Sequence, residues 1–106
     1  GWESHYSPRG INGHIDDILF PIQHGILFYP GFDVLPPFTL YRTGRTDSAR
    51  FAALCAELGE RLDNLFVTEP VAYYRQNDGD YRIPDLTLRD DLAAGEQGHH
   101  VHIRKP

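Results

Sequence analysis

Residues 1–32 of the chain read GWESHYSPRGINGHIDDILFPIQHGILFYPGF, and the interpretation of the remaining sequence starts from this stretch. Its first thirteen residues include three glycines, one proline and two serines, a composition typical of a loop. Gly10 and Gly13 flank Ile11-Asn12, which predicts a backbone with positive φ or a close approach to a ligand. An ordinary connecting loop is the alternative interpretation.

The second half of this stretch has the periodicity of a helix. Apolar residues recur there at spacings of three and four, at Ile15, Ile18, Leu19, Ile22, Ile26 and Tyr29. Pro21 predicts a kink or the start of the regular part, and Pro30-Gly31 predicts the end. Phe20, Leu27 and Phe28 lie off the stripe, so a second face is apolar too. We expect both faces to be covered, one of them by a partner subunit.

The central third of the sequence predicts a strand followed by a second helix. Residues 32–41 (FDVLPPFTLY) have strand composition, and Pro36-Pro37 places this strand at a sheet edge because proline has no N–H to donate. Thr46 or Asp47 is expected to cap the second helix. Its apolar stripe comprises Phe51, Leu54, Cys55, Leu58, Leu62 and Leu65. We interpret Cys55 as a packed side chain rather than a reactive thiol.

The last third predicts an extended arm, residues 67–106, that wraps over another surface. Val71–Tyr74 and Tyr81–Ile83 are expected to pair as a hairpin around the Asp78-Gly79 turn. Near the end lies a cluster of histidines, His99, His100 and His102. On a strand, His100 and His102 would share a face, but two ligands do not close a metal site, so no metal is predicted.

Composition limits the classes of function that the chain can have. Its 106 residues suffice for one small domain, and a net charge of −5 with scattered basic residues argues against nucleic-acid binding. No apolar run is long enough to insert into a membrane. Cys55 is the single cysteine, which favours a reducing, cytoplasmic location.

Residues 1–37 and the helix SARFAALCAELGERLDNLF at 48–66 resemble the C-terminal half of the flavodoxin-like NAD(P)H:quinone oxidoreductases. The resemblance implies an α/β fold, the C-terminal portion of a doubly wound parallel sheet. The elements would be a helix, an edge strand, a helix and an extended C-terminal arm, incomplete on their own. Within this part of one domain, residues 1–13 would form a flavin-facing loop and residues 14–66 the helix–strand–helix unit.

The family's activity follows as an expectation: two-electron reduction of quinones by NAD(P)H through a bound flavin, FAD rather than FMN. The resemblance further implies a homodimer formed through the helix at 14–30 and the arm. Gly1 matches the second glycine of the family's Thr-Thr-Gly-Gly turn, beside the flavin ring. Tyr6 matches a tyrosine that hydrogen-bonds the flavin. Arg50 lies one residue away from an arginine that contacts FAD, and Tyr29 matches an aromatic residue of the partner's substrate pocket.

Asn12 stands where some members have histidine and others asparagine. Together with Tyr6, it is the predicted catalytic donor to the reduced ring. Asparagine donates a hydrogen bond but does not titrate at working pH. We therefore expect a flatter pH dependence than in a relative with histidine at this position.

A second class of function remains open. The family's phosphate-binding loop is absent from these residues, so the 106-residue chain alone is predicted to be inactive. The alternative is a non-catalytic or regulatory interaction module, such as an ancillary subunit of a potassium-efflux system.

Overall fold

A computed structural model describes residues 1–106, which divide into two units. Gly1–Ile15 and Leu35–Pro70 form the first unit, and Asp16–Val34 and Val71–Pro106 form the second. Helix α1 spans Ile15–Phe20 and continues as a π-helix over Pro21–Phe28, whereas α2 spans Ser48–Asp63. Short 3₁₀ turns occupy Glu3–Tyr6, Thr43–Arg45 and His99–His102. None of these helices is both long and apolar enough to cross a membrane.

In the first unit, α2 begins as the sequence predicts. The Asp47 carboxylate accepts a hydrogen bond of 2.8 Å from the backbone N–H of Arg50, which confirms the N-cap. The apolar face of the helix is largely exposed, with Phe51 63% and Leu62 58% accessible. Cys55 is exposed as well, so the prediction that it packs is wrong. The periodicity predicted the helix and its apolar face correctly, but no segment of the chain covers that face.

In the second unit, Pro21 changes the helix type. Proline has no N–H, so the α-helical bond to residue i−4 cannot form at this position, and the α-helical part ends at Phe20. Farther on, the backbone bonds span five residues, as in Tyr29 N–H to His24 O at 2.8 Å. Gly31, with φ 124°, follows the end of the helical segment, as predicted.

The face of this helical segment that packs is the aromatic one. Phe20, His24 and Phe28 follow each other at intervals of four, and each lies within 6.2 Å of the Tyr73 ring, measured between centroids. The predicted stripe faces solvent instead, with Ile18 43%, Ile22 49% and Ile26 64% exposed. Both apolar faces predicted from the sequence therefore exist, but only one is covered within the chain.

The arm pairs differently from the predicted hairpin. Tyr73 forms an antiparallel bridge with Ile103, and Tyr81 forms one with Leu88. Hydrogen bonds from Tyr74 N to His102 O (3.0 Å) and from Arg104 N to Ala72 O (2.8 Å) fix the first pairing. The turn at Asp78-Gly79 thus does not join two paired strands, and the hairpin prediction is wrong.

The predicted strand at Phe32–Tyr41 is not formed. Residues 32–42 have no regular structure, and the two bridges are the only β-pairing. A strand requires a partner for its backbone groups, and residues 33–41 make only one backbone–backbone hydrogen bond, from Val71 N to Val34 O at 2.7 Å. Val34 and Tyr73 are the only buried apolar residues. The parallel sheet consequently stays a prediction.

Candidate functional site

The glycine loop of the first unit is folded by contacts at His5. The backbone N–H of Asn12 donates to His5 O at 2.9 Å. A Cβ added to Gly10 would lie 2.2 Å from the same oxygen, and Gly13 has φ 80°. The positive φ predicted for this loop is confirmed at Gly13. The close approach at Gly10 is to the backbone of His5, and the approach to a ligand stays a prediction.

Two neutral hydrogen-bond donors of this loop are not engaged by the chain. The ring of Tyr6 is half-buried and lies 5.6 Å from that of Tyr41, tilted by 43°. Its hydroxyl makes no hydrogen bond within the chain, and neither does the exposed side-chain amide of Asn12. Both groups are therefore free to bind a ligand through an acceptor atom.

The Arg50 side chain hydrogen-bonds to the backbone of Tyr41 and Arg42, next to the glycine loop. Its guanidinium donates to Arg42 O at 3.1 Å and to Tyr41 O. Arg42 N in turn donates to Gly1 O at 3.1 Å, and the Arg42 guanidinium stacks 3.5 Å above the Trp2 ring. Tyr41 and Arg42 connect α2 to the glycine loop, and the sequence reasoning missed both of them.

The second unit contains a concave pocket of about 370 Å³. Aromatic and histidine residues are half of its lining, and the other half comprises Asp33, Arg75, Gln76, Asn77 and Asp78 with Gly31 and Leu86. Tyr29, the predicted substrate-binding residue, lines this pocket and is 64% exposed. Its aromatic walls suit a planar organic ligand.

Histidines on two segments pack around Phe20 next to this pocket. His24 stacks on Phe20 at 4.6 Å, and His99 stacks at 4.3 Å, measured between ring centroids. Burial and the neighbouring His102 and His99 lower the pKa of His24, and burial with His99 lowers that of His102. The segment around His102 is a 3₁₀ turn, so the strand geometry considered for a metal site does not occur. No group of three or more His, Cys, Asp or Glu side chains is arranged so that it could hold a metal ion.

The structure divides the predicted site residues between the units. Gly1, Tyr6, Asn12 and Arg50 belong to the first unit, where Gly1 and Arg50 both contact Arg42. Tyr29 belongs to the second unit. The sequence drew attention to His102 only as a possible metal ligand and did not connect it with Tyr81, because a hydrogen bond between residues 21 positions apart leaves no spacing signal.

The chain is similar in sequence to proteins that are named as quinone reductases or as related dehydrogenases. A Klebsiella pneumoniae protein assigned as a quinone reductase is 65% identical, and its crystal structure superposes on 98% of the chain with a TM-score of 0.95. The ribosyldihydronicotinamide dehydrogenase-like protein traD of Penicillium crustosum is 52% identical over 99 residues, or 90% of the chain. NAD(P)H dehydrogenase (quinone) 1 of Cavia porcellus is 38% identical over 73 residues, or 69% of the chain.

The chain belongs to the NAD(P)H:quinone oxidoreductase family. Within this quinone oxidoreductase family it spans only part of each relative, namely 40% of the Klebsiella chain, 36% of the Penicillium protein and 26% of the Cavia protein. No protein-family model matches it.

Proposed function

We propose that this chain carries part of the active site of a flavin-dependent NAD(P)H:quinone oxidoreductase. The observation that carries the proposal is the pair of unengaged donors, Tyr6 and Asn12, on a loop that Gly10 and Gly13 hold in shape. The 65% identity to the Klebsiella protein and the relatives' names support the same activity.

The chemistry of these donors fits a flavin. Reduction of the flavin places negative charge along the N1–C2=O edge of its ring, and neutral donors aimed at that edge stabilise the charge. The Tyr6 hydroxyl and the Asn12 amide are donors of this kind. A bound flavin, FAD in preference to FMN, would supply the hydride transfer from NAD(P)H to the quinone.

The remaining predicted residues have supporting roles. Tyr6 would hold its phenolic proton toward the flavin, while Asn12 would donate without titrating. Gly1, through its carbonyl bond to Arg42, and Arg50, through its bonds to the same turn, hold the loop that presents Tyr6. Direct contact of Gly1 and Arg50 with the cofactor stays part of the proposal.

The quinone would bind against Tyr29. The aromatic walls of the 370 Å³ pocket provide a surface on which a flat ring can stack. In the proposed homodimer, this pocket would serve the flavin site of the partner subunit. The exposed isoleucines of the helix at 14–30 are the apolar face available for that association, together with the arm.

The rest of the site would come from residues that this chain does not contain. The chain spans 40% of the Klebsiella structure, and the apolar face of α2 is uncovered. We therefore expect the 106 residues to be inactive alone. No observation favours the non-catalytic alternative.

A chimera tests the proposal. The segment of the Klebsiella protein that matches this chain is replaced by residues 1–106, and flavin content and quinone reduction by NADH and NADPH are measured. We expect the chimera to bind flavin and turn over, and Tyr6→Phe to lower the rate. Asn12→His should add an ionisation near the imidazole pKa of about 6.5. A folded chimera without flavin, beside an active unsubstituted Klebsiella protein, would contradict the proposal.

A further inference from the structure

Two side chains of the second-unit pocket are joined by a hydrogen bond. The hydroxyl oxygen of Tyr81 lies 2.8 Å from His102 Nδ1, and the two rings stack at 5.8 Å with an interplanar angle of 12°. Both residues are half-buried and line the 370 Å³ pocket together with Tyr29. The stacking and the hydrogen bond hold the two polar atoms at the pocket in one arrangement.

We propose that Tyr81 and His102 act as a hydrogen-bonding pair that binds an oxygen atom of a planar aromatic ligand in this pocket. The inference rests on the proposed function and extends it by naming the residues that recognise the quinone oxygen. These residues are distinct from Tyr6 and Asn12, which are assigned to the flavin.

Both members of the pair are uncharged near neutral pH. Burial, with the charges of Asp80 and Tyr74, raises the pKa of Tyr81. Burial, with His99, lowers the pKa of His102. A neutral phenol and a neutral imidazole share two protons between three polar atoms, so the direction of the hydrogen bond between them can reverse.

This reversal suits a ligand that changes between a carbonyl and a hydroxyl. If His102 Nδ1–H donates to the Tyr81 oxygen, the phenolic proton is free for a quinone carbonyl. If Tyr81 donates to Nδ1, its oxygen can accept from a hydroquinone hydroxyl. The pair can thus bind the oxidised and the reduced ring without a change in its own charge.

The ring of such a ligand would have apolar walls to stack on. Phe28 and Tyr29 line the pocket from the helical segment, and Tyr74 lines it from the arm. Arg75, Asp33 and Asp78 also line the pocket, and Arg75 is the group among them that can pair with an anionic substituent of the ligand.

Binding to the flavin-free 106-residue chain tests the pair. The probes are anthraquinone-2-sulfonate, which has two carbonyls, and anthracene-2-sulfonate, which has the same ring area and charge without them. Tyr81→Phe should weaken binding of the quinone probe roughly tenfold and leave the anthracene probe within about twofold, because it removes one hydrogen bond and little apolar area. His100→Gln, at a side chain that is 61% exposed and does not line the pocket, is the control and should change neither affinity.

The inference fails if the wild-type chain binds neither probe, if Tyr81→Phe affects both equally, or if His100→Gln has the same effect. As a second readout, the ¹⁵N shift of His102 Nδ1 should move with the quinone probe only. The binding experiment contains no flavin, so its result does not depend on the proposed flavin site. A chimera that binds no flavin would overturn the proposed function whatever the binding experiment shows.

Discussion

A methyl group at Gly10 would lie 2.2 Å from the carbonyl oxygen of His5, a backbone atom that cannot move aside as a side chain does. We predict that Gly10→Ala destabilises the loop by about 1 to 3 kcal/mol, the usual cost of overpacking. Amide hydrogen exchange of Asn12, whose N–H bonds to His5 O, should accelerate accordingly.

Gly25→Ala is the matched control for this change. No heavy atom lies within 4 Å of a Cβ at Gly25, which is on the π-helix. Its substitution should therefore be neutral or slightly stabilising. Unchanged exchange at Asn12 in Gly10→Ala would show that the close approach at His5 does not hold the loop.

At the scale of single residues, the local sequence predicted the special backbone geometry of the glycine loop but not the residues that contact it. Gly10 and Gly13 could be predicted because glycines close together indicate special backbone geometry. Tyr41 and Arg42 could not, since their contacts with Tyr6 and Gly1 join residues far apart in sequence. The free donors Tyr6 and Asn12 came from family resemblance, and their role stays a prediction.

At the scale of elements, the aromatic face of the helical segment makes stability depend on pH. Burial lowers the folded-state pKa of both His24 and His102, so each is neutral in the folded chain at pH values where it is protonated in the unfolded chain. As pH falls below about 6.5, the unfolded state takes up protons first, and the free energy of unfolding falls until the folded pKa values are reached.

We predict a loss of stability between about pH 7.5 and about pH 5.5, and a smaller loss in His24→Phe, which keeps an aromatic ring at this position. His24 Nε2 is buried without a hydrogen-bond partner, so a proton there would lack an acceptor. Asp17, 3.4 Å from His99, and Asp16, whose charge together with burial raises the pKa of Tyr73, are carboxylates beside this cluster. Tyr73 and Tyr81 are further titratable neighbours.

Denaturant unfolding at both pH values measures this effect. His100→Gln is the control, because the side chain of His100 is 61% exposed. Equal pH dependence in wild type and His24→Phe would contradict the assignment of the effect to His24.

Sequence periodicity predicted where the helices lie but not how they pack. It located the helical segment from residue 15, its disturbance at Pro21, its end at Gly31, and α2 with its cap at Asp47. Periodicity does not say which of two apolar faces has a partner, and here the aromatic face packs while the isoleucines are exposed. The pairings of Tyr73 and Tyr81 depend on distant residues and were mispredicted as a hairpin.

At the scale of the whole molecule, the chain buries few of its apolar side chains. Val34 and Tyr73 are the only buried ones, whereas nineteen large apolar residues are exposed. A chain of 106 residues would normally bury a larger core. The chain also spans 40% of the Klebsiella chain, and residues 32–42, where a strand was predicted, have no regular structure.

The exposed helix face predicts the association surface. Ile22→Glu or Ile26→Glu would place a carboxylate on the proposed dimer interface, where its desolvation is costly. We expect the purified protein to sediment as a dimer and either variant to sediment as a monomer. Phe66→Glu, at a residue 98% exposed and outside the proposed interface, should stay dimeric. A monomeric wild type, or dimers that persist in both isoleucine variants, would argue against this surface.

The visible absorption spectrum of the protein purified from its natural source, taken with its intact mass, tests the central claim most directly. We predict the spectrum of a bound oxidised flavin that bleaches with NAD(P)H and returns with a quinone, in a polypeptide heavier than 12.1 kDa. A protein of 12.1 kDa without flavin, which neither NADH nor NADPH changes spectrally, would contradict the account.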